Sequence, residues 1–298
     1  MRRRIVVTGG IGFIGREAVN ALEGYDLHLF SRSGDGPAGA IGHRIDLLAD
    51  DVGSLLQEIA PTHLLHLAWH VPPGQFWSAP ENLDWVAASV RLVRAFANAG
   101  GRRAVLAGSC AEYDWSHDEL DEDRTPLRPG NLYGVSKAGL FRMVMAAAPV
   151  LGLSIAWGRI FFPFGPDEPQ GRLFSSLVDG FIAGQPVPCT EGRQVRDFIH
   201  VSDVGRAFAA LLTSDIEGAV NIASGEGHSV REFIETAAAA ANAPSIPQFG
   251  LRAMQPGEPP RLVARTERLN SLPGYTPAYD FCSGVADAVI QRLKGAQR

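Results

Sequence analysis

The first 33 residues change hydrophobic period twice. A β-branched run at 5–7 predicts a short buried strand of a parallel sheet. An apolar helical period follows a glycine-rich stretch, at Ile14, Ala18, Val19 and Leu22. Gly24 ends this predicted helix, and the sequence LHLF at 27–30 predicts a second strand. The order strand, glycine-rich turn, helix, strand is typical of the opening unit of a doubly wound α/β fold.

Strand and helix patterns continue to alternate to about residue 162. Further buried strands are predicted at 42–47, 62–69 and 102–109, and helices at 80–98 and 133–148. In the first of these helices the residues predicted to share the apolar face are Leu83, Val86, Val90, Val93 and Ala97. The alternation predicts an α/β protein with a doubly wound parallel sheet, and a dinucleotide-binding domain at 1–162.

Composition narrows the class of protein. The 298 residues include 46% hydrophobic and 20% charged side chains, which is ordinary for a globular protein. The net charge of −5 excludes a basic excess that would attract nucleic acid or an anionic membrane. No apolar run approaches the roughly 20 residues of a membrane helix and the start lacks a signal-peptide pattern, so we expect a cytoplasmic protein. The three cysteines, at 110, 189 and 282, lie far apart, which argues against a disulfide framework or a metal site.

Three glycines at three-residue spacing, Gly9, Gly12 and Gly15, separate the first strand from the first helix. A Cβ atom in this turn would hold the backbone away from a pyrophosphate. The helix N-terminus adds N–H groups and the positive end of a dipole. We therefore predict a dinucleotide coenzyme here, with contacts from Gly9, Gly12, Phe13 and Ile14.

The end of the second predicted strand, Ser31 and Arg32, bears on the choice of coenzyme. NAD-binding units usually carry a carboxylate there for the ribose hydroxyls, whereas Arg32 can pair with a 2′-phosphate and Ser31 can donate to it. This predicts NADP(H) over NAD(H); the alternative is that Arg32 is a solvated loop residue. Later strand ends add further predicted coenzyme contacts: Asp46, for the adenine amino group, Leu47, and Leu67 and Ala68 near the nicotinamide.

Three residues carry the predicted proton chemistry: Ser109, Tyr133 and Lys137. Ser109 ends a predicted strand, and ligands of parallel sheets lie beyond the carboxyl ends of the strands. Tyr133 and Lys137 are four residues apart and share one face of a helix. A cation one turn away, with a bound nicotinium, lowers the pKa of a phenol from about 10, so Tyr133 can exchange a proton with a carbonyl or alcohol oxygen. Ser109 can hold that oxygen, and Lys137 can also bind the nicotinamide ribose.

Five motifs in order resemble the extended short-chain dehydrogenase/reductase family, the sugar-nucleotide epimerases, dehydratases and ketoreductases. They are TGGIGFIG (8–15), GSCAEY (108–113), YGVSK (133–137), GRQVRDFIHVSDV (192–204) and GAVNIASGEGHSVREF (218–233). The resemblance covers almost the whole chain. It implies a smaller α/β substrate-binding domain at 163–298, discontinuous because segments near 195–224 return to the main sheet. The proline, glycine and arginine of this half predict loops over a cleft.

By the same resemblance, the substrate is a sugar nucleotide. Arg196 and Arg261 are predicted to bind its diphosphate, since a guanidinium fork suits two phosphate oxygens. Trp69 and His70 are predicted to shape the sugar pocket. Similar proteins often pair through two helices per subunit, so a homodimer is expected. The helices at 80–98 and 133–148 are the candidates for this contact, and the alternative is that each packs inside the fold. No nucleic acid polymer and no membrane is expected as a partner.

Positions beside Ser109 separate the reactions within the family. The 4,6-dehydratases carry an Asp–Glu pair there, where Cys110 and Ala111 stand here, so dehydration is disfavoured. Because Arg32 favours NADP(H), the leading hypothesis is an NADPH-dependent oxidoreductase that reduces a keto group, at C4, of a deoxy sugar nucleotide, with Tyr133 as proton donor. The alternative is an NAD(P)-dependent sugar-nucleotide 4-epimerase with the same residues. A coenzyme-sensing module without catalysis is disfavoured because the tyrosine and the lysine are both present.

Overall fold

The computed structural model describes residues 3–37, 39–244, 246–254 and 257–296. The helices are α1 Phe13–Ala21, α2 Gly53–Ile59, α3 Glu81–Asn98, α4 Leu132–Leu151, α5 Leu173–Ala183, α6 Val201–Thr213, α7 Val230–Ala240, α8 Glu267–Asn270 and α9 Phe281–Ala296. The strands are β1 Arg4–Thr8, β2 Asp26–Ser31, β3 Ala40–Arg44, β4 His63–His66, β5 Arg103–Ser109, β6 Glu119–Leu120, β7 Ser154–Ile160, β8 Phe162–Phe164, β9 Val187–Pro188, β10 Val195–Arg196, β11 Phe198–His200, β12 Gly218–Ile222, β13 His228–Ser229, β14 Pro247–Gln248 and β15 Arg261–Ala264. A 3₁₀ turn, Cys110–Glu112, follows β5.

Seven strands form one sheet in the order β12-β7-β5-β4-β1-β2-β3, and every neighbouring pair in it is parallel. From β1 the chain builds outward through β2 and β3, and then in the opposite direction through β4, β5, β7 and β12. The order therefore reverses between β1 and β4, which is where doubly wound sheets bind ligands. The prediction of an α/β doubly wound parallel sheet is confirmed.

Helices cover both faces of this sheet. On one face α1 packs against α6, and a Cβ atom at Gly205 of α6 would collide with the backbone of Glu17 of α1. On the other face α2, α3 and α4 enclose an apolar core that includes Leu92, Phe96 and Leu140. α3 and α4 lie side by side on that face, so residues from both helices can reach the strand ends.

The predicted apolar face of α3 is wrong at two positions. Leu83 and Val90 are 59% and 38% exposed, whereas Asn82 and Ser89 are buried. These polar side chains tolerate burial because both have partners: Asn82 accepts from an indole in the loop after β4, and Ser89 hydrogen-bonds His66. An apolar pattern alone cannot predict a buried face that contains paired polar groups.

Helix α4 is an exception to the sequence-based expectation that no apolar run approaches the length of a membrane helix. By length and composition it could cross a membrane. In the fold it packs beside α3 and against β7, with Leu140, Val144 and Ala148 buried. Packing in the core accounts for these buried residues, whereas Val135, Met143 and Val150 of the same helix are exposed.

The second half of the chain surrounds a cluster of phenylalanine rings. α5, α7 and α9 enclose Phe164, Phe174, Phe198 and Phe233, and the last two rings stack with centroids 4.3 Å apart. A mixed sheet, β13-β10-β15-β6, lies in the same half. β8 follows β7 after one residue and pairs with β11, so this second core adjoins the carboxyl end of the main sheet.

Candidate active site

A cavity of about 920 Å³ lies where the carboxyl ends of β5 and β7 meet the second half of the chain. Among the predicted site residues, those that line it are Ile14, Leu67, Trp69, Ser109, Tyr133, Lys137 and Arg196. The predicted residues outside its lining are Gly9, Gly12, Phe13, Ser31, Arg32, Asp46, Leu47, Ala68, His70 and Arg261. The cavity therefore unites the predicted proton-transfer residues with part of the predicted substrate site.

The glycine turn after β1 has the shape of a pyrophosphate cradle. Gly9 has φ +72°, and its carbonyl oxygen accepts a hydrogen bond from Gly12 N at 3.0 Å. A Cβ atom at Gly9 would lie 2.7 Å from Ala68 N, and one at Gly15 would collide with the Gly9 carbonyl oxygen. Gly12 is the N-cap of α1, so the first N–H groups of this helix lie at the turn, where they favour an anion. These residues fit a dinucleotide coenzyme.

The ends of β2 and β3 differ in how their predicted coenzyme residues are held. Ser31 is buried, and its Oγ accepts from Gly34 N at 3.0 Å, whereas Arg32 is exposed. β3 ends two residues before Asp46, whose Oδ1 accepts from Leu48 N at 3.0 Å. Ser31 therefore shapes its own turn, whereas the exposed side chains of Arg32 and of Arg44, at the end of β3, can reach an anion in solvent.

Ser109 ends β5 and begins the 3₁₀ turn. Its Oγ accepts from Ala111 N at 3.2 Å, and its own N–H donates to Glu112 Oε1 at 2.8 Å. The backbone of the serine is thus fixed from both sides, at the strand end where ligands of parallel sheets bind. Ser109 is among the residues that line the cavity.

The first turn of α4 places Tyr133 in close contact with the turn that carries Ser109. Asn131 caps the helix by accepting from Gly134 N at 2.9 Å, and a Cβ atom at Gly134 would collide with a carbonyl oxygen of the 3₁₀ turn. Tyr133 is 8% exposed, and its ring meets Phe76 edge-on with centroids 4.9 Å apart. Burial raises the pKa of the Tyr133 phenol, and a side-chain hydrogen bond with Ser109 opposes this rise. A positive charge on a bound coenzyme would lower that pKa again.

Lys137 lies one turn after Tyr133 on the same face of α4. Its Nζ donates to Ala107 O at 2.8 Å and lies 3.7 Å from the centroid of the Trp69 ring. The side chain is buried. Burial lowers the pKa of Lys137 to about 7, and the negative charge of Glu112 opposes this fall. Lys137 can therefore change its charge near neutral pH, where a group that assists a proton transfer is most useful.

Trp69 joins the loop after β4 to two helices. Its Nε1 donates to Asn82 Oδ1 at 2.8 Å, and Asn82 Nδ2 donates to two carbonyl oxygens of residues 70–80. Trp77 O in turn accepts from Tyr133 N at 3.1 Å. The loop is thus attached to both α3 and α4, and Trp69 supports Lys137 as well as lining the cavity.

Arg196 lies in the cavity wall, but its donors already have partners. Nη2 donates to Glu258 Oε1 at 2.7 Å. Nη1 donates to Val195 O at 2.8 Å and to Pro259 O at 2.9 Å. A diphosphate at this arginine would therefore have to replace the Glu258 carboxylate.

Arg261 lies outside the cavity because side chains alternate along β15. Leu262 lines the cavity, whereas Arg261 and Val263 line a separate surface depression. The structure therefore lends no support to Arg261 as a diphosphate ligand. Two other arginines, Arg172 and Arg252, line the cavity.

A buried ion pair beneath Ser109 was missed by the sequence analysis. Glu112 Oε2 lies 2.8 Å from Arg159 Nε, and both side chains are almost wholly buried. Trp157 Nε1 donates to Glu112 Oε1 at 2.9 Å. The only signal was one charged residue in each of two apolar stretches, CAEY and AWGRIFF, which indicates a buried charge without naming its partner.

The glycine turn, the serine at a strand end and the YGVSK helix all lie at the carboxyl ends of the strands, and comparison with known proteins establishes the family. The chain belongs to the NAD dependent epimerase/dehydratase family, whose profile matches residues 5–223. The chain is 28% identical to the UDP-glucose 4-epimerase of Azospirillum brasilense, over 96% of this chain and 91% of that protein. It is 25% identical to the UDP-glucose 4-epimerase of Corynebacterium glutamicum, over 96% of this chain and 94% of that protein. The resemblance noted in the sequence is thereby confirmed.

Solved structures agree with this placement. The UDP-glucose 4-epimerase of Thermus thermophilus, in complex with NAD, superimposes with a TM-score of 0.86 at 27% identity, over 98% of this chain and 99% of that chain. MoeE5 in complex with UDP-glucuronic acid and NAD has the same TM-score, identity and coverage. Both similar proteins are bound to NAD in those structures.

Proposed function

We propose that this protein is an NAD(P)-dependent sugar-nucleotide 4-epimerase. The observation that carries the proposal is the meeting of Ser109, Tyr133 and Lys137 in one cavity, with Cys110 and Ala111 in place of carboxylates beside the serine. Similarity to UDP-glucose 4-epimerases over nearly the whole chain supports it. The order of the two sequence hypotheses is therefore reversed, and the ketoreductase becomes the second candidate.

Each of the three residues has a distinct task. Tyr133 takes the proton from the C4 hydroxyl of the sugar and later returns it to the oxygen of the ketone. Ser109 donates a hydrogen bond to the same oxygen and holds it beside the phenol. The Lys137 ammonium stabilises the phenolate form of Tyr133. A nicotinamide coenzyme held at the Gly9–Gly12 turn would supply the hydride acceptor and donor for C4.

Inversion requires the ketone to present its opposite face before the hydride returns. The cavity suits such a rotation because its wall near Tyr133 is aromatic, from Trp69, Phe76, Trp77 and Trp115. Ring faces pack against a sugar without fixing its hydroxyl groups in one orientation. This freedom distinguishes an epimerase site from one that must hold its ketone in a single pose.

We further propose that residues 163–298 act as the substrate-binding part of the protein. Arg172 and Arg252 line the cavity and carry the charge that a diphosphate needs. Arg196 would join them by exchanging Glu258 for a phosphate. An Arg252→Ala variant should raise KM for the substrate at least tenfold with little change in kcat, because diphosphate contacts are equal in ground state and transition state.

Arg32 favours the second candidate, an NADPH-dependent reductase of a C4 ketone on a deoxy sugar nucleotide. It is exposed at the end of β2, where NAD-binding units usually carry an acidic residue. Titrations of NADPH and NADH, followed by protein fluorescence, test the coenzyme directly. Arg32→Asp should weaken NADPH binding at least tenfold and leave NADH unaffected if this arginine meets a 2′-phosphate.

Turnover with limiting coenzyme decides between the two reactions. The protein is incubated with UDP-glucose, UDP-glucuronic acid or a 4-keto-6-deoxy sugar nucleotide, each in large excess over coenzyme. An epimerase brings the whole substrate pool to equilibrium, whereas a reductase stops after one equivalent of NADPH. Conversion that stops at one equivalent, or no conversion of any sugar nucleotide, contradicts the epimerase.

We also propose that α3 and α4 form the contact surface of a homodimer. The exposed apolar residues of these neighbouring helices are Leu83, Val90, Val135, Met143 and Val150. Light scattering should report a dimer for the natural chain and a monomer for Leu83→Glu with Val135→Glu. A natural chain that is monomeric at every concentration contradicts this proposal.

A further inference from the structure

Glu112 is a buried carboxylate that the reaction described above does not use. Oε1 accepts from Ser109 N at 2.8 Å and from Trp157 Nε1 at 2.9 Å, and Oε2 accepts from Arg159 Nε at 2.8 Å. All three donor–acceptor distances are close to the ideal for a hydrogen bond, so the carboxylate is held from three sides. A Cβ atom at Gly108 would collide with the indole nitrogen and lie 2.6 Å from Glu112 Oε1. The carboxyl end of β5 therefore packs closely around the Glu112 side chain.

The network continues away from the cavity into the core. Arg159 Nη1 donates to Tyr113 Oη at 2.9 Å, and Tyr113 Oη donates to Asn221 Oδ1 at 2.7 Å. The Arg159 guanidinium also lies over the rings of Tyr113 and Phe141. Glu112 thus lies at one end of a chain of hydrogen bonds. It contacts the active site through its hydrogen bond with the Ser109 backbone N–H.

The titratable and charged groups packed around Glu112 come from three elements. They are Arg159 on β7, Cys110 and Tyr113 in its own turn, and Tyr133 and Lys137 on α4. His66 on β4 interacts electrostatically with Lys137, and burial lowers the pKa of His66 to about 3, so it is neutral. Glu112 is the negative charge among these groups that acts on Lys137.

We propose that Glu112 is a positioning residue for the reaction: it fixes Ser109 through the backbone N–H, and its buried negative charge favours the ammonium form of Lys137. The catalytic meaning of this role rests on the proposed function, because Ser109 and Lys137 matter as described only if the cavity turns over a sugar nucleotide. The charge itself can be tested without any substrate.

Lysine occurs at two positions in the whole chain, 137 and 294, which makes the test unusually direct. Protein grown with lysine carrying ¹³C at the ε carbon gives one NMR signal from each, and a Lys294→Arg variant assigns them. In the natural protein we expect Lys137 to titrate near its pKa of about 7, while the exposed Lys294 serves as an internal reference. In Glu112→Gln the Lys137 midpoint should fall by about one pH unit, because an opposing charge has been removed.

Glu122→Gln is the matched control. Glu122 accepts from Asn221 N at 2.8 Å, so its loss disturbs the far end of the same network. In this variant the Lys137 midpoint should stay within about 0.2 pH units of the natural value, because its charge is not one that acts on Lys137. If both variants move the midpoint equally, or neither does, Glu112 has no specific electrostatic role and the proposal fails.

Removing Glu112 alone leaves the Arg159 charge buried and unpaired, which destabilises the fold. The double variant Glu112→Gln with Arg159→Met removes both charges and should fold, and its Lys137 midpoint should fall by less than in Glu112→Gln, because the loss of the Arg159 charge opposes the loss of the Glu112 charge. If neither variant folds, the pair is structural and the proposal is overturned.

The kinetic arm uses the pH profile of kcat. The negative charge of Glu112 raises the pKa of both Tyr133 and Lys137. In Glu112→Gln, both the acid limb and the alkaline limb of the pH profile should therefore move to lower pH, and kcat should fall at least tenfold. A purely structural role would reduce kcat without moving either limb. A shifted Lys137 midpoint in a protein that converts no sugar nucleotide would support the electrostatic role and refute the proposed function alone.

Discussion

Lys137 Nζ lies 3.7 Å from the centroid of the Trp69 ring and donates to Ala107 O at 2.8 Å. The ammonium is therefore held between the face of an indole and the carbonyl of a strand, with little access to water. An aromatic face attracts a cation but solvates it less well than water does. The balance of these effects explains why burial lowers the pKa of Lys137 although the group keeps two favourable contacts.

Replacing Trp69 by Ala should raise the pKa of Lys137. Water would enter beside the ammonium, which removes part of the desolvation, and a cation–π contact of about 0.5–2 kcal/mol would be lost. The lysine NMR signal should then titrate at least about one pH unit above its natural midpoint. Trp85→Phe is the control, since Trp85 packs against Trp69 with centroids 6.1 Å apart. A midpoint unchanged in Trp69→Ala would show that the indole does not keep water from Lys137.

Replacing Tyr133 by Phe should abolish most of the turnover. The change removes the proton-transfer group and keeps the ring against Phe76, so kcat should fall by about 10²- to 10⁴-fold. The coenzyme dissociation constant, measured by fluorescence quenching, should change less than about threefold. Tyr275→Phe changes another buried tyrosine, outside the cavity lining, and should retain kcat. Full activity in Tyr133→Phe would remove this phenol from the mechanism.

Two glycines of α4 should respond in opposite ways to alanine. At Gly134 a Cβ atom would collide with Ala111 O and lie 2.7 Å from Pro129 Cβ, so α4 must move away from the Ser109 turn. We expect Gly134→Ala to lower the free energy of unfolding by about 1–3 kcal/mol and to reduce kcat as well. At Gly139 nothing lies within 4 Å, and Gly139→Ala should stabilise the helix by about 0.5–1 kcal/mol with kcat unchanged. Urea unfolding measures both; equal effects would contradict the close contact of α4 with the turn.

The stability of the coenzyme-free protein should rise between about pH 7 and pH 9.5 through Lys137. Burial lowers the pKa of this lysine from 10.5 to about 7, so in this range the unfolded chain binds a proton that the folded protein does not. Proton release therefore favours folding as the pH rises, by up to about 1.4 kcal/mol per pH unit. Lys137→Met should remove this slope and leave the contributions of other groups. If the difference between the two proteins does not depend on pH, the lysine keeps its proton when buried.

Much of the site could be predicted from the sequence because each of its parts has a local signal. Glycines between a strand and a helix indicate a close backbone approach, and the carboxyl end of a parallel strand places Ser109 at the cavity. Four-residue spacing places Tyr133 and Lys137 on one face of α4. These inferences depend on the periods of regular structure, which the amino-acid pattern determines strongly.

What could not be predicted depends on contacts between distant segments. The burial of Asn82 depends on an indole that precedes it by 13 residues, and the burial of Glu112 depends on Arg159, 47 residues later, which forms an ion pair with it. The side of β15 on which Arg261 lies depends on the register of a short strand that follows prolines, and a shift of one residue reverses it. Arg196 is partly neutralised by Glu258, which no local pattern indicates.

Two parts of the cavity wall come from separate stretches of the sequence. Ser109, Tyr133 and Lys137 lie within 29 consecutive positions of the first half, whereas Arg172, Arg252 and Leu262 belong to the second. Substitutions after residue 163 can therefore alter the part of the wall formed by Arg172, Arg252 and Leu262 while Ser109, Tyr133 and Lys137 stay unchanged.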